Sequence, residues 1–130
     1  MIVLDASVLI AVLMPQDVHH HPAASLVAGA VSTAQGLLVN PVTLAEVLVL
    51  PTRENRVDLV LAALAGLGVE EDPLPSNAAD VLARLRVDTG LKLPDCCALL
   101  TAMDRKATLA SFDQRLLAAA AALGIEVQAP

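Results

Sequence analysis

The sequence predicts an α/β fold, a small and mostly parallel sheet of four or five strands flanked by helices. Short apolar runs rich in Val, Ile and Leu alternate with longer stretches that carry helix start and stop signals. Two lone acids also follow such runs. Asp5 comes directly after Ile2–Leu4, and Asp113 lies just past the run at 108–111. Parallel sheets place their ligand sites beyond the strands' carboxyl ends.

In chain order, Ile2–Leu4 reads as a short buried strand and 7–14 as a helix stopped at Pro15. Residues 15–22 read as a loop leading into a helix over 22–33. Gly36 punctuates, and Leu37–Val39 is the second strand. Asn40-Pro41 starts a helix, with Asn as N-cap and Pro at the first helical position. That helix is expected to end near Pro51, and a second to span 53–67, closed by Gly66 and Gly68. A short strand begins at Val69. A helix runs from Pro75 to about 89, with Gly90 as its C-terminal signal. Leu93-Pro94-Asp95 opens the next helix, which continues to Arg105. A strand at 108–111, a helix at 113–123 and a strand at 125–127 complete the chain.

The 130 residues are expected to form one domain spanning 1–130. A chain of this size can bury roughly two-thirds of its unfolded surface. The apolar fraction is 56%, and the mean hydropathy of +0.67 is high. No run reaches the roughly 18 uninterrupted apolar residues of a membrane helix. No Lys or Arg precedes Asp5, so a signal peptide is not expected. The surplus apolar surface is assigned to a core and to a protein interface. Cys96 and Cys97 are adjacent, a geometry that strains a mutual bridge, which points to a reducing cytoplasm and two packed thiols. A net charge of −6 argues against a general nucleic-acid binder but not against an enzyme that holds cations with carboxylates. Phe112 is the only Phe, Tyr or Trp, so no base-stacking platform is expected.

Most of the fourteen acids keep polar company. Glu54 and Asp58 lie near Arg53 and Arg56, and Asp104 precedes Arg105 and Lys106, as on solvated helix faces. Glu70-Glu71-Asp72 reads as a surface run. Three acids stand apart: Asp5 in its apolar segment, Glu46 as the only charge between Pro41 and Pro51, and Asp95 after Pro94. Asp113 is the fourth candidate. Helix capping would account for Asp95 or Asp113 taken singly. An unpaired buried carboxylate is costly, so each needs a partner, a metal or a route to solvent. Carboxylates converging without His or Cys favour a hard cation, Mg²⁺ or Mn²⁺. Such ions activate water for phosphodiester hydrolysis.

At these residues the sequence resembles a PIN-domain ribonuclease, specifically a VapC-type toxin of a bacterial toxin–antitoxin pair. The resemblance rests on Leu4-Asp5-Ala6-Ser7, on Glu46 within Val42-Thr43-Leu44-Ala45-Glu46-Val47, on Leu93-Pro94-Asp95, and on Ser111-Phe112-Asp113. It implies a PIN-like three-layer sandwich and an acidic, metal-holding catalytic site of Asp5, Glu46, Asp95 and Asp113, with Ser7 and Ser111 as supporting hydroxyls. Ser111 stands where a threonine is common, and Gln114-Arg115-Leu116 lacks a further acid that many relatives carry. The resemblance also implies an RNA substrate, a homodimer and a cognate antitoxin that inserts into a groove. Residues 7–14 and 41–56 are the expected groove helices.

Arg84, Arg86, Lys92 and Arg115 are candidate phosphate contacts, with ordinary surface charge as the competing reading. His19-His20-His21 reads as a solvated loop or helix start, because consecutive histidines on a helix point in different directions. Competing functions are a catalytically silent interaction module and a DNA-directed nuclease with the same acids. A haloacid-dehalogenase-type phosphatase would need an acid where Ser7 stands, and a receiver domain an acidic pair near the first strand.

Overall fold

The short apolar runs form strands of two or three residues, each depending on parallel neighbours for its backbone hydrogen bonds. The computed structural model describes residues 1–130 throughout. Its elements are β1 (Ile2–Leu4), α1 (Ala6–Leu13), α2 (His20–Ser32), β2 (Leu37–Val39), α3 (Pro41–Arg53), α4 (Val57–Gly66), β3 (Val69–Glu71), α5 (Ala78–Thr89), α6 (Leu93–Arg105), β4 (Thr108–Ala110), α7 (Gln114–Ala122) and β5 (Val127–Gln128). The sheet is wholly parallel, in the order β3-β2-β1-β4-β5.

Alternation along the strands divides the core in two. Ile2, Leu4, Leu37, Val39 and Ala110 pack with apolar residues of α1, α2, α3 and α4. Val3, Leu38 and Leu109 pack on the other face with α5, α6 and α7. This is a three-layer sandwich, and complete burial of Leu4, Leu9, Leu99 and Leu109 contributes about 1.5–3 kcal/mol per side chain. Strand order reverses between β1 and β4, since the chain winds outward through β2 and β3 before crossing back. The crevice at that reversal is where a parallel sheet binds ligands.

Local signals explain most boundaries. Asn40, fully buried, accepts from the Thr43 amide and donates to Thr43 Oγ1, both at 2.9 Å, and so caps α3. Gly90 ends α5 in the left-handed region that glycine adopts freely.

Three expectations are corrected. The α3 helix passes through Pro51 to Arg53, and the break falls at Asn55, which adopts a positive φ of 54° before α4 starts at Val57. The α2 helix begins at His20, so Pro22 sits in the first turn, where its missing N–H costs no intrahelical bond. Finally, Asp72 is no surface residue. It is 5% exposed and paired through both oxygens with Nε and Nη2 of Arg105, which leaves the expected solvated face of α6 to clasp the end of β3.

That pair generates a prediction. Arg105→Met leaves a buried carboxylate without its partner and lowers the thermal midpoint by several degrees. Asp72→Asn in the same chain recovers part of the loss, because the uncompensated charge is gone. Thermal denaturation of the single and double variants checks both outcomes.

Candidate active site

Asp5 is the first residue past β1 and the N-cap residue of α1, yet its side chain does not cap that helix. Its amide donates to the Ala110 carbonyl at the end of β4. Its Oδ2 accepts two hydroxyl hydrogen bonds, from Ser7 Oγ at 2.9 Å and from Ser111 Oγ at 2.8 Å. Ser7 Oγ in turn accepts from the Phe112 amide (3.1 Å), and Ser111 Oγ from the Asp113 amide (2.9 Å). The two serines thus join the ends of β1 and β4 through one carboxylate oxygen. Oδ1 receives no hydrogen bond from the protein, and no buried side-chain oxygen lacks a partner, so Oδ1 reaches solvent.

Asp113 is the N-cap of α7, and its Oδ1 accepts from the Arg115 and Leu116 amides. Capping uses that oxygen alone. Asp95 is different. The N-cap of α6 is Lys92, which makes no side-chain capping bond, and Asp95 sits in the first helical turn, half-buried and without a hydrogen-bond partner. The capping account of Asp95 therefore does not hold. Glu46 projects from α3, which packs against α6.

Electrostatics ties the four together. Burial pushes the Asp95 carboxyl above its ordinary range, and the charges of Asp5 and Asp113 push it further, against the opposing pull of Lys92 and Arg115. Burial likewise raises Glu46, followed by repulsion from Asp5 and Asp95. A carboxylate raised by like charges is a recurrent mark of functional sites. The donors are all oxygens and all acidic, which fits a hard divalent cation better than a soft one. No three of them lie together in a spacing that could hold a metal ion in the metal-free chain.

The candidate bases divide. Lys92 and Arg115 lie close enough to Asp95 to lower its pKa. Arg84 forms an exposed ion pair with Asp80, and Arg86 Nη1 donates to the carbonyls of Gly90 and Leu91, securing the end of α5. Sequence reasoning missed one neighbour. The His19 ring stacks on Phe112, with centroids 4.1 Å apart and planes at 13°. Nothing in local spacing links a loop residue to a strand end more than ninety positions later.

Beside the acidic group lies an apolar groove of about 280 Å³ between α1, α3 and α4, lined by Ile10, Leu13, Met14, Val47, Leu50 and Leu59 among others, with Glu46 in its wall. Residues within 7–14 and 41–56 both contribute to its walls.

The raised carboxyls set a pH dependence. A carboxyl whose folded pKa lies above its unfolded value favours folding when protonated; that contribution is full below the unfolded pKa and is lost as pH rises through the folded one. Ionised Asp95 therefore works against the metal-free fold at neutral pH. Asp95→Asn raises the thermal midpoint of the chelator-treated protein at pH 7, and the gain shrinks as pH falls towards about 4. Thermal melts across that pH range check the sign.

The PIN domain profile matches residues 2–122. No curated protein matches the chain in sequence. Among solved structures, FitAcB from Neisseria gonorrhoeae is 19% identical with a TM-score of 0.72, the alignment covering 100% of this chain and 98% of that one. A toxin–antitoxin complex from Klebsiella pneumoniae is 21% identical with a TM-score of 0.71, covering 91% of each chain. VapC20 of Mycobacterium tuberculosis, a sarcin–ricin loop cleaving toxin, is 16% identical with a TM-score of 0.70, covering 92% of this chain and 95% of that one. With the profile spanning nearly the whole chain and the fold shared with VapC toxins, the chain belongs to the PIN-domain family.

Proposed function

We propose that this single-domain chain, residues 1–130, is a divalent-metal-dependent endoribonuclease and the toxin of a toxin–antitoxin pair. One observation supports the chemistry: the charges of Asp5 and Asp95 act on Glu46 and those of Asp5 and Asp113 act on Asp95, while Asp5 is held through one oxygen and free at the other. These four carboxylates would hold Mg²⁺ or Mn²⁺. A cation bound there would acidify its water and neutralise charge on a phosphodiester under attack.

The chain's own groups do the rest. Ser7 and Ser111 fix the Asp5 carboxylate so that it presents Oδ1. Lys92 and Arg115, whose charges act on Asp95, are our candidates for contact with substrate phosphates. Arg84 and Arg86 have other partners, so any phosphate contact they make is secondary. With few bases available, RNA affinity is modest and falls with salt.

The apolar groove is assigned to a cognate antitoxin. A similar solved structure is a toxin–antitoxin complex, and Glu46 lines both the groove and the acidic group's surroundings. Exposed Val49, Leu50 and Leu59 are suited to further burial in a homodimer or in a hetero-oligomer with antitoxin. The two free thiols suit a reducing cytoplasm.

Antitoxin-free protein should cleave single-stranded RNA with Mg²⁺ or Mn²⁺ and stop on chelation. Asp5→Asn should lose more than about 100-fold in rate. Ser111→Ala, which removes a supporting hydroxyl, should lose roughly 10–100-fold. A gel assay with RNA and DNA substrates measures both. Cleavage indifferent to chelator and to Asp5→Asn would sink the mechanism, and cleavage of DNA alone would favour a DNA-directed nuclease.

A further inference from the structure

The acidic site has one aromatic feature at its edge. Phe112 lies between Ser111 and Asp113, and its amide is held by Ser7 Oγ. The Phe112 ring is half-buried against the core that contains α1 and α2. On it rests His19, stacked face to face at 4.1 Å. The His19 backbone is steadied by its own amide, which donates to Asp17 Oδ1 at 2.8 Å. His19 itself is exposed. One face of the imidazole lies on Phe112.

This geometry reverses an expectation from composition. A single Phe gave no stacking platform, but a histidine brought from the α1–α2 connection supplies a second ring. Its neighbours do something else: His20 Nδ1 lies 2.8 Å from the Ala11 carbonyl oxygen, and His21 meets His20 edge-on. The stack is also the only parallel pair of rings in the chain.

We propose that the His19–Phe112 stack seats one unpaired nucleobase of the RNA, flanking the phosphate that lies at the acidic group; this rests on the ribonuclease reading above. Exposed π-faces take up unstacked bases, and histidine is among the side chains that do so. Stacking is tolerant of base identity, so the seat selects unpaired over paired nucleotides more than one base over another. Stacking supplies affinity through the ring face, independently of ion pairing.

The test uses Asp5→Asn protein, in which cleavage does not deplete the probe, with a short single-stranded RNA in Mg²⁺. His19→Ala added to this background weakens binding by between about 5-fold and 100-fold. His19→Phe, which keeps a ring on Phe112, restores affinity to within a few-fold. An RNA series with one abasic position contains a member for which the His19→Ala effect disappears. Equal affinity with and without His19→Ala, or equal loss for His19→Ala and His19→Phe, overturns the seat. So does a His19→Ala effect that no abasic position removes. RNA bound in a His19-dependent way but never cleaved by wild type leaves the seat and removes the ribonuclease reading. RNA cleaved while affinity ignores His19 does the reverse. No RNA binding at all overturns both.

Discussion

The constraint on which the rest depends is the double hydrogen bond from Ser7 and Ser111 to one oxygen of Asp5. A carboxylate 8% exposed at a sheet end surrounded by Val, Leu and Ala is costly unless its charge is hydrogen-bonded. Charge-assisted bonds from two hydroxyls offset that cost. They also pass the constraint outward, because the same two oxygens accept the amides of Phe112 and Asp113. Turn geometry after β4, the start of α7 and the position of the Phe112 ring are thus referred to a single side chain at the end of β1. A one-residue slip of β1 against β4 would turn Asp5 away from both serines and reverse the core faces of Ile2, Val3 and Leu4.

The acidic group is held together against its own repulsion. Two of its members are raised by burial and by the charges of nearby acids, Asp5 in both cases, so the local energy opposes folding at neutral pH. What holds it is the core. The α6 helix is buried almost without interruption from Cys96 to Ala102, and α3 is fixed by Asn40 at one end and by Leu44 and Val47 against the sheet. The α3 and α6 helices that carry Glu46 and Asp95 also pack against each other.

Much of this was legible in the chain, for identifiable reasons. Ile2–Leu4 and Leu37–Val39 stood out because buried parallel strands are continuous apolar runs. Asp5 and Glu46 stood out because charge is rare in apolar company. Asn40-Pro41 and Gly90 are local signals with local outcomes. What was hidden depended on partners remote in sequence. Asp72 looked like the end of an acidic surface run, and its burial is set by Arg105, 33 residues on. Arg86 looked like a free base, and its partners are carbonyls whose position follows from how α5 ends. His19 looked like loop, and its stacking depends on how the α1–α2 connection crosses the end of β4. Pro51 misled for another reason: proline removes one donor, and the helix continued through Leu50 and Pro51 carbonyls bonded to the amides of Glu54 and Arg56.

Glu46 belongs to two surfaces, and this joins the site to the groove. It carries charge beside Asp5 and Asp95, and it lines the apolar channel between α1, α3 and α4. Burial is already the largest cause of its raised pKa. An apolar segment laid along Ile10, Leu13, Val47 and Leu50 would strip more water from the same carboxyl. Desolvation favours its protonated form, and a protonated Glu46 is a poorer ligand for a cation. Covering the groove would therefore act on Glu46, whereas Asp5 is bonded through Oδ2 to Ser7 and Ser111. Asp5 is held at the strand end by hydrogen bonds, while Glu46 on α3 sits where the groove can be covered.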